Sequence, residues 1–132
     1  MTMNRKNRIL IVEDDESIRI LLETRLARSG FEVICADNVV DGIKRFNAEK
    51  FDLVMTDICM PGLSGNILAR YIRNQREDIP IISVTASPWL VNELFDMVIE
   101  KPFKLTFLLD TIAYYLPSET NMPAEHALQL CV

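Results

Sequence analysis

A single histidine, His126, stands near the end of this 132-residue chain. It stands alone in the tail, so neither a histidine-based metal site nor a Ser/His/Asp triad is expected. Cysteine is equally scarce. Cys35, Cys59 and Cys131 are odd in number and far apart, so they supply no disulfide framework and no metal-ligand spacing. Cys35 falls in an expected strand and reads as a small core residue. Long apolar runs are missing too, and none approaches the roughly 20 residues that cross a bilayer. Residues 1–8 are polar and basic, and the apolar stretch at 9–12 is too short for the core of a signal peptide. A cytoplasmic protein without membrane contact is expected. Positive charge is in deficit: 14 Lys and Arg stand against 19 Asp and Glu, for a net charge of −5. That balance argues against direct contact with nucleic acid, which needs clustered cations. The one basic cluster, Arg5-Lys6-Arg8, reads as a solvated arm over residues 1–7 running into the first strand.

What remains is the material of a core. Hydrophobic residues make up 49 % of the chain and charged residues 25 %, as in a soluble globular domain of this length. Short apolar runs alternate with amphipathic stretches. Strands are expected over 8–13, 31–36, 51–57, 81–85 and 97–100. Between them the spacing predicts a helix over 15–29, with Ile18, Leu21, Leu22 and Leu26 inward. A second is predicted over 38–48, with Val39, Val40, Ile43 and Phe46 inward. A third starts after Ser64, with Ile67, Leu68, Tyr71 and Ile72 on one face. The last runs over 104–116, with Leu105, Leu108, Leu109, Ile112 and Leu116 inward. Asp15 and Ser64 suit N-caps, and Gly30 and Pro117 suit stops. The alternation predicts an α/β, doubly wound, five-stranded parallel sheet. Its expected order is 2-1-3-4-5, with a ligand crevice at the C-terminal ends of the strands. Residues 8–117 make up this domain, and 118–132 are expected to be a disordered tail.

The stretch FDLVMTDICMPG at 51–62 carries an apolar strand to one acid, Asp57, and then turns sharply away. Strand 1 ends in Glu13-Asp14, strand 4 in Thr85, and strand 5 just before Lys101. In the order 2-1-3-4-5 all these groups converge on Asp57. Three crowded acids repel one another unless a hard divalent cation joins them, and oxygen ligands suit Mg²⁺. A carboxylate beside such a cation, an ammonium and a hydroxyl has the parts to attack phosphorus. Singly, each residue has an ordinary explanation. Asp14-Asp15 suits a helix cap, Thr85 a turn, Lys101 a solvated surface and Asp57 a loop acceptor. Their coincidence at four strand ends carries the reading.

Glu13-Asp14, the stretch DLVMTDICMPGLSG, Thr85-Ala86 and Lys101-Pro102-Phe103 resemble the receiver domain of two-component response regulators. The resemblance covers residues 8–117. It implies that Asp57 accepts a phosphoryl group from a histidine kinase or a histidine phosphotransfer protein. It implies that Glu13, Asp14, Asp57 and the backbone carbonyl of Cys59 hold Mg²⁺. Lys101 would pair with the phosphoryl group, Thr85 would couple it to a surface change, and Lys101-Pro102 would be a cis peptide. Output would pass to a downstream protein, with a homodimer possible. No effector domain fits into residues 118–132, so the chain reads as a stand-alone phosphoacceptor rather than an enzyme. Two departures stand out. Receivers carry an aromatic residue three positions before the lysine, where this chain has Val98. The crossover at 86–100 has only fifteen residues, shorter than is usual in the family by well over one helical turn, so a helix just fits above the minimum of about 10–12. Pro88 also keeps Ser87 out of helix. A shortened helix over about 89–96 is expected, with Trp89, Leu90, Leu94 and Phe95 mostly core; a partly exposed Trp89 that binds a partner is the minor alternative. Three rival readings remain open. The first is a receiver-like interaction module that is never phosphorylated. The second is a flavin protein of the same topology, which the acidic loop EDDES opposes. The third is an aspartyl phosphatase, which would want an acid where Cys59 stands.

Overall fold

A computed structural model describes residues 5–117. Five strands, β1 (Arg8–Val12), β2 (Glu32–Ala36), β3 (Leu53–Thr56), β4 (Ile81–Thr85) and β5 (Met97–Glu100), form one parallel sheet in the order β2-β1-β3-β4-β5. The helices are α1 (Glu16–Arg28), α2 (Val39–Ala48), α3 (Gly65–Gln75) and α4 (Leu105–Tyr115). The expected sheet and order are therefore borne out. The central strands are mostly apolar and buried on both sides, as parallel strands between helical layers must be.

Two cores flank the sheet. Ile9, Ile11, Met55, Ile82, Val84 and Ile99 pack under α1 and α4, while Leu10, Val12, Val54 and Ile81 pack under α2 and α3. Alternate residues of each strand serve opposite cores, the period-two rule of a pleated strand. Asp15 caps α1 by accepting from Ile18 N–H, Asn38 caps α2 through Asp41 N–H, and Ser64 caps α3 through Asn66 N–H. Gly30 ends the α1 turn at φ 97°, a conformation that glycine alone enters freely.

The helices bury narrower stripes than their apolar residues suggest. Leu22 and Leu26, Leu68 and Ile72, and Leu108 and Ile112 face the sheet at i, i+4 spacing. Leu21, Val40 and Ile67, expected inward, are exposed. A helix lying on a flat sheet meets it along one line, so residues a quarter-turn away face water. Arg8 opens β1, as the expected strand over 8–13 has it, and it pairs with Glu32 at 3.1 Å. Cys35 is half-buried against the edge of the first core, and its thiol donates to Glu23 Oε2 at 3.1 Å. The expected tail at 118–132, with His126 and Cys131, lies outside the described residues.

The main departure is the fourth crossover. No α-helix forms over 89–96. One 3-10 turn, Pro88–Leu90, is followed by extended and bent backbone. Side chains take the hydrogen bonds that a helix would have used. Asn92 Oδ1 accepts from Leu94 N–H, and Asn66 on α3 accepts from Asn92 N–H and donates to Leu90 C=O. Arg73, also on α3, donates to the carbonyls of Leu94, Glu77 and Ile79 and pairs with Asp96. Leu94 and Phe95 pack against the second core, as expected, but Leu90 and Trp89 do not, and Trp89 is 75 % exposed.

Because Arg73 satisfies several carbonyls at once, Arg73→Ala should destabilise the protein by about 2 kcal/mol. Arg70→Ala, one turn away and exposed, should cost less than about 0.5 kcal/mol. Urea unfolding of the two variants compares them directly. The Cys35 thiol is pushed up to about 12, first by burial and then by the Glu23 carboxylate. In a Cys131→Ser background at pH 8, a thiol-specific disulfide reagent should therefore label exposed Cys59 first, with Cys35 slower by at least about a hundredfold.

Candidate functional site

Glu13, Asp57 and Lys101 each follow directly on a strand, and the sheet's own hydrogen bonding holds their backbones. Glu13 N–H donates to Ala36 C=O at 3.0 Å, and Asp57 N–H to Val12 C=O at 3.1 Å. Lys101 N–H donates to Thr85 C=O at 2.8 Å. The ladder thus runs one residue past β1, β3 and β5, and that extra residue is the polar one. Gly65 lets α3 approach this floor. A Cβ there would lie 2.0 Å from the Asp57 carbonyl oxygen, so no other residue fits. Lys101-Pro102 is cis.

The side chains converge. One carboxylate oxygen from each of Glu13, Asp14 and Asp57 lies within 4.8 Å of the others. Glu13 and Asp57 are buried at 2 % and 8 % exposure, while Asp14 is exposed. Lys101 Nζ sits between the two buried acids, 2.8 Å from Glu13 Oε1 and 2.9 Å from Asp57 Oδ2. The other Asp57 oxygen accepts from Ile58 N–H at 2.6 Å and Cys59 N–H at 3.3 Å. Glu13 Oε2 accepts from Asp15 N–H at 3.1 Å, and Arg19 Nη1 donates to the Glu13 carbonyl at 2.9 Å. The Asp14 carboxylate accepts no hydrogen bond among the described residues, and neither does the Cys59 carbonyl.

Electrostatics follow from this packing. Burial pushes the Glu13 carboxyl above its ordinary range, and Lys101 only partly offsets that. For Lys101, burial pulls downward, but the hydrogen bonds and charges of Glu13 and Asp57 outweigh it and the ammonium ends above its usual value. The lysine is therefore firmly protonated, and it neutralises one of the three negative charges. Hard oxygen donors in excess of local positive charge fit a small divalent cation, with the unpartnered Asp14 carboxylate as the open ligand.

All the expected side chains except Thr85 meet at one point. Thr85 is buried at the end of β4, and its Oγ1 accepts from Ser87 N–H at 3.1 Å. No hydrogen bond joins it to Asp57. The sequence reading missed the Glu13–Lys101 contact and the Arg19 and Asn66 supports. Only the spacing of Arg19, one turn into a capped helix and facing the acidic loop, hints at any of them.

The description "response regulator receiver domain" belongs to the family whose model matches residues 9–113, and the chain belongs to that family. Among curated proteins it is similar to the alkaline phosphatase synthesis transcriptional regulatory protein PhoP of Bacillus subtilis, at 39 % identity over 97 residues. That alignment takes in 74 % of this chain and 38 % of PhoP, so the chain spans well under half the length of the relative. Among solved structures it is similar to the response regulator TrrA of Thermotoga maritima in complex with Mg²⁺–BeF, at 34 % identity and a TM-score of 0.74, covering 83 % of this chain and 98 % of that one. TrrA in complex with the histidine kinase ThkA gives 35 % identity and a TM-score of 0.75, over the same shares of each chain.

Removing the ammonium should leave two buried carboxylates facing each other. Without divalent cations, Lys101→Met should cost about 3 kcal/mol in urea unfolding, and adding Glu13→Gln should recover much of it. A loss below about 0.5 kcal/mol, the range of an ordinary surface change, would mean that the lysine does not neutralise the site.

Proposed function

We propose that Asp57 is the phosphoacceptor of a Mg²⁺-dependent receiver, charged by a histidine kinase or a histidine phosphotransfer protein. The observation that carries this reading is the meeting of Glu13, Asp14 and Asp57 within 4.8 Å, with Lys101 bridging the two buried acids. The TrrA complexes with Mg²⁺–BeF and with ThkA support the same chemistry and the same class of partner.

In the transfer, an Asp57 carboxylate oxygen attacks the phosphorus of a phosphohistidine. The new O–P bond forms as the N–P bond breaks, and the bonding pair stays on the imidazole nitrogen. The product is an acyl phosphate on Asp57, with imidazole as the leaving group. Ile58 and Cys59 N–H hold one carboxylate oxygen, which leaves Oδ2 as the attacking atom. Oδ2 now faces Lys101, so the ammonium moves onto a phosphoryl oxygen as the bond forms. Bound Mg²⁺ would neutralise phosphoryl charge, with Asp14, Asp57 and the Cys59 carbonyl as ligands and Glu13 holding the lysine and the cation. Thr85 reaches the phosphoryl group by giving up its contact with Ser87 N–H.

The chemistry occurs on the chain itself and does not turn over a substrate, so the role is that of a signalling phosphoacceptor. The cytoplasm is the compartment that suits it, and its output is contact with a downstream protein rather than with nucleic acid. The rival reading, an unphosphorylated interaction module, draws on Val98 and the helix-free crossover. Those features alter how a signal leaves the domain and do not touch the carboxylates.

Incubation with acetyl phosphate and Mg²⁺ should add one phosphoryl mass, located on Asp57 by borohydride trapping. Asp57→Asn and chelation of the metal should each abolish it, and Asp14→Asn should slow it by at least about tenfold, the effect of lost transition-state charge neutralisation. No mass gain from either acetyl phosphate or a phosphorylated histidine donor would leave the unphosphorylated module standing.

A further inference from the structure

The second face of the sheet is covered unevenly. In the row Thr56, Ser83 and Val98, successive strand partners point to the side of α2 and α3. Thr56 and Ser83 are almost wholly buried, but Val98 on the edge strand β5 is 38 % exposed. On the opposite face the neighbouring β5 residue, Ile99, is buried beneath α4. The difference comes from the fourth crossover, which covers β4 and stops. Its 3-10 turn packs beside β5 and turns Trp89 and Leu90 outward. Leu90 also lines one wall of an open cavity of about 620 Å³ above the loop after β3.

Charge within the crossover itself has one sign. Residues 86–100 contain Glu93, Asp96 and Glu100 and no lysine or arginine. Asp96 is paired with Arg73, but Glu93 and Glu100 are exposed and form no ion pair among the described residues. Glu100 alternates onto the same face as Val98. The nearest strand-end cation, Lys101, is turned inward to Glu13 and Asp57. The patch is therefore an indole and aliphatic side chains flanked by two unneutralised carboxylates.

We propose that this open side of β5 is the seat of a basic amphipathic helix belonging to a partner protein. Its apolar ridge covers Trp89, Leu90 and Val98, and its flanking lysines or arginines meet Glu93 and Glu100. A cation over the Trp89 ring adds to the attraction. The partner thus supplies in trans the helix that the short crossover omits. Charge selects this occupant: an acidic helix would be repelled, and a second copy would set the same two carboxylates against each other.

Trp89 is the only tryptophan, so its emission reports on this surface alone. The probe is a synthetic peptide of about 18 residues, five turns of helix, with leucines along one face and lysines beside them. A second peptide replaces every lysine with glutamate. The lysine peptide should give a saturable blue shift of Trp89 emission. Glu93→Lys with Glu100→Lys should weaken that binding by at least about tenfold, whereas Glu16→Lys with Glu77→Lys, of equal net charge, should leave it within about twofold. The acidic peptide should cause no shift. Equal binding of both peptides, or equal weakening by both double variants, would overturn the proposal. So would a blue shift that grows with protein concentration alone and tracks dimer formation in sedimentation, because a second copy would then be the occupant.

Discussion

An ammonium held between two buried carboxylates is the interaction on which the rest of this structure depends. Glu13, Asp57 and Lys101 come from three different strands, and none could be buried alone at tolerable cost. The sheet solves the problem by geometry. The backbone ladder extends one residue beyond β1, β3 and β5, so the three groups are fixed before their side chains meet. Gly65 allows α3 to close against the Asp57 carbonyl, and Arg19 ties down the loop that carries Asp14. Lys101 offsets one of the two buried negative charges, and the exposed Asp14 carboxylate accepts no hydrogen bond among the described residues. The site thus keeps net negative charge, as suits one that takes up a divalent cation.

The fourth crossover shows the opposite economy. Where a helix would satisfy its own backbone, this segment borrows Asn66 and Arg73 from α3. The substitution keeps β4 buried and β5 in register, so the site is undisturbed. Its consequence lies on the surface. Val98 has neither ring nor hydroxyl, and Thr85 is engaged with Ser87 N–H rather than with an aromatic partner. Under the proposed function, the route outward that the structure offers is the backbone joining Thr85 to the Ser87–Leu90 turn. That turn carries Trp89.

Much of this was legible in the residues. Alternating strands and helices suggested the strand order, and apolar runs ending in Glu13 and Asp57 pointed to the place of convergence, because a parallel sheet puts all its C-terminal ends on one edge. Ser64 and Asp15 announced their helices. Other features were hidden because they depend on tertiary distance. Nothing in the spacing of Glu13 and Lys101, far apart in the chain, says that they touch. Leu21, Val40 and Ile67 looked inward on helical wheels, yet a sheet buries only the line of closest approach. Leu90 and Leu94 looked like one helical face. Pro88, which has no N–H to give, and Asn92, whose Oδ1 takes a backbone donor, favoured a turn instead. Cys35 looked apolar until Glu23, a full helix earlier, proved to reach its thiol.

The most direct measurement is a crystal structure with Mg²⁺ and beryllofluoride. The account predicts one metal ion held by Asp14, Asp57 and the Cys59 carbonyl, a beryllofluoride group on Asp57 Oδ2, and Lys101 Nζ moved from that oxygen onto a fluorine. A structure with Glu13, Asp14 and Asp57 splayed apart, with no shared ion and Asp57 unmodified, would contradict it.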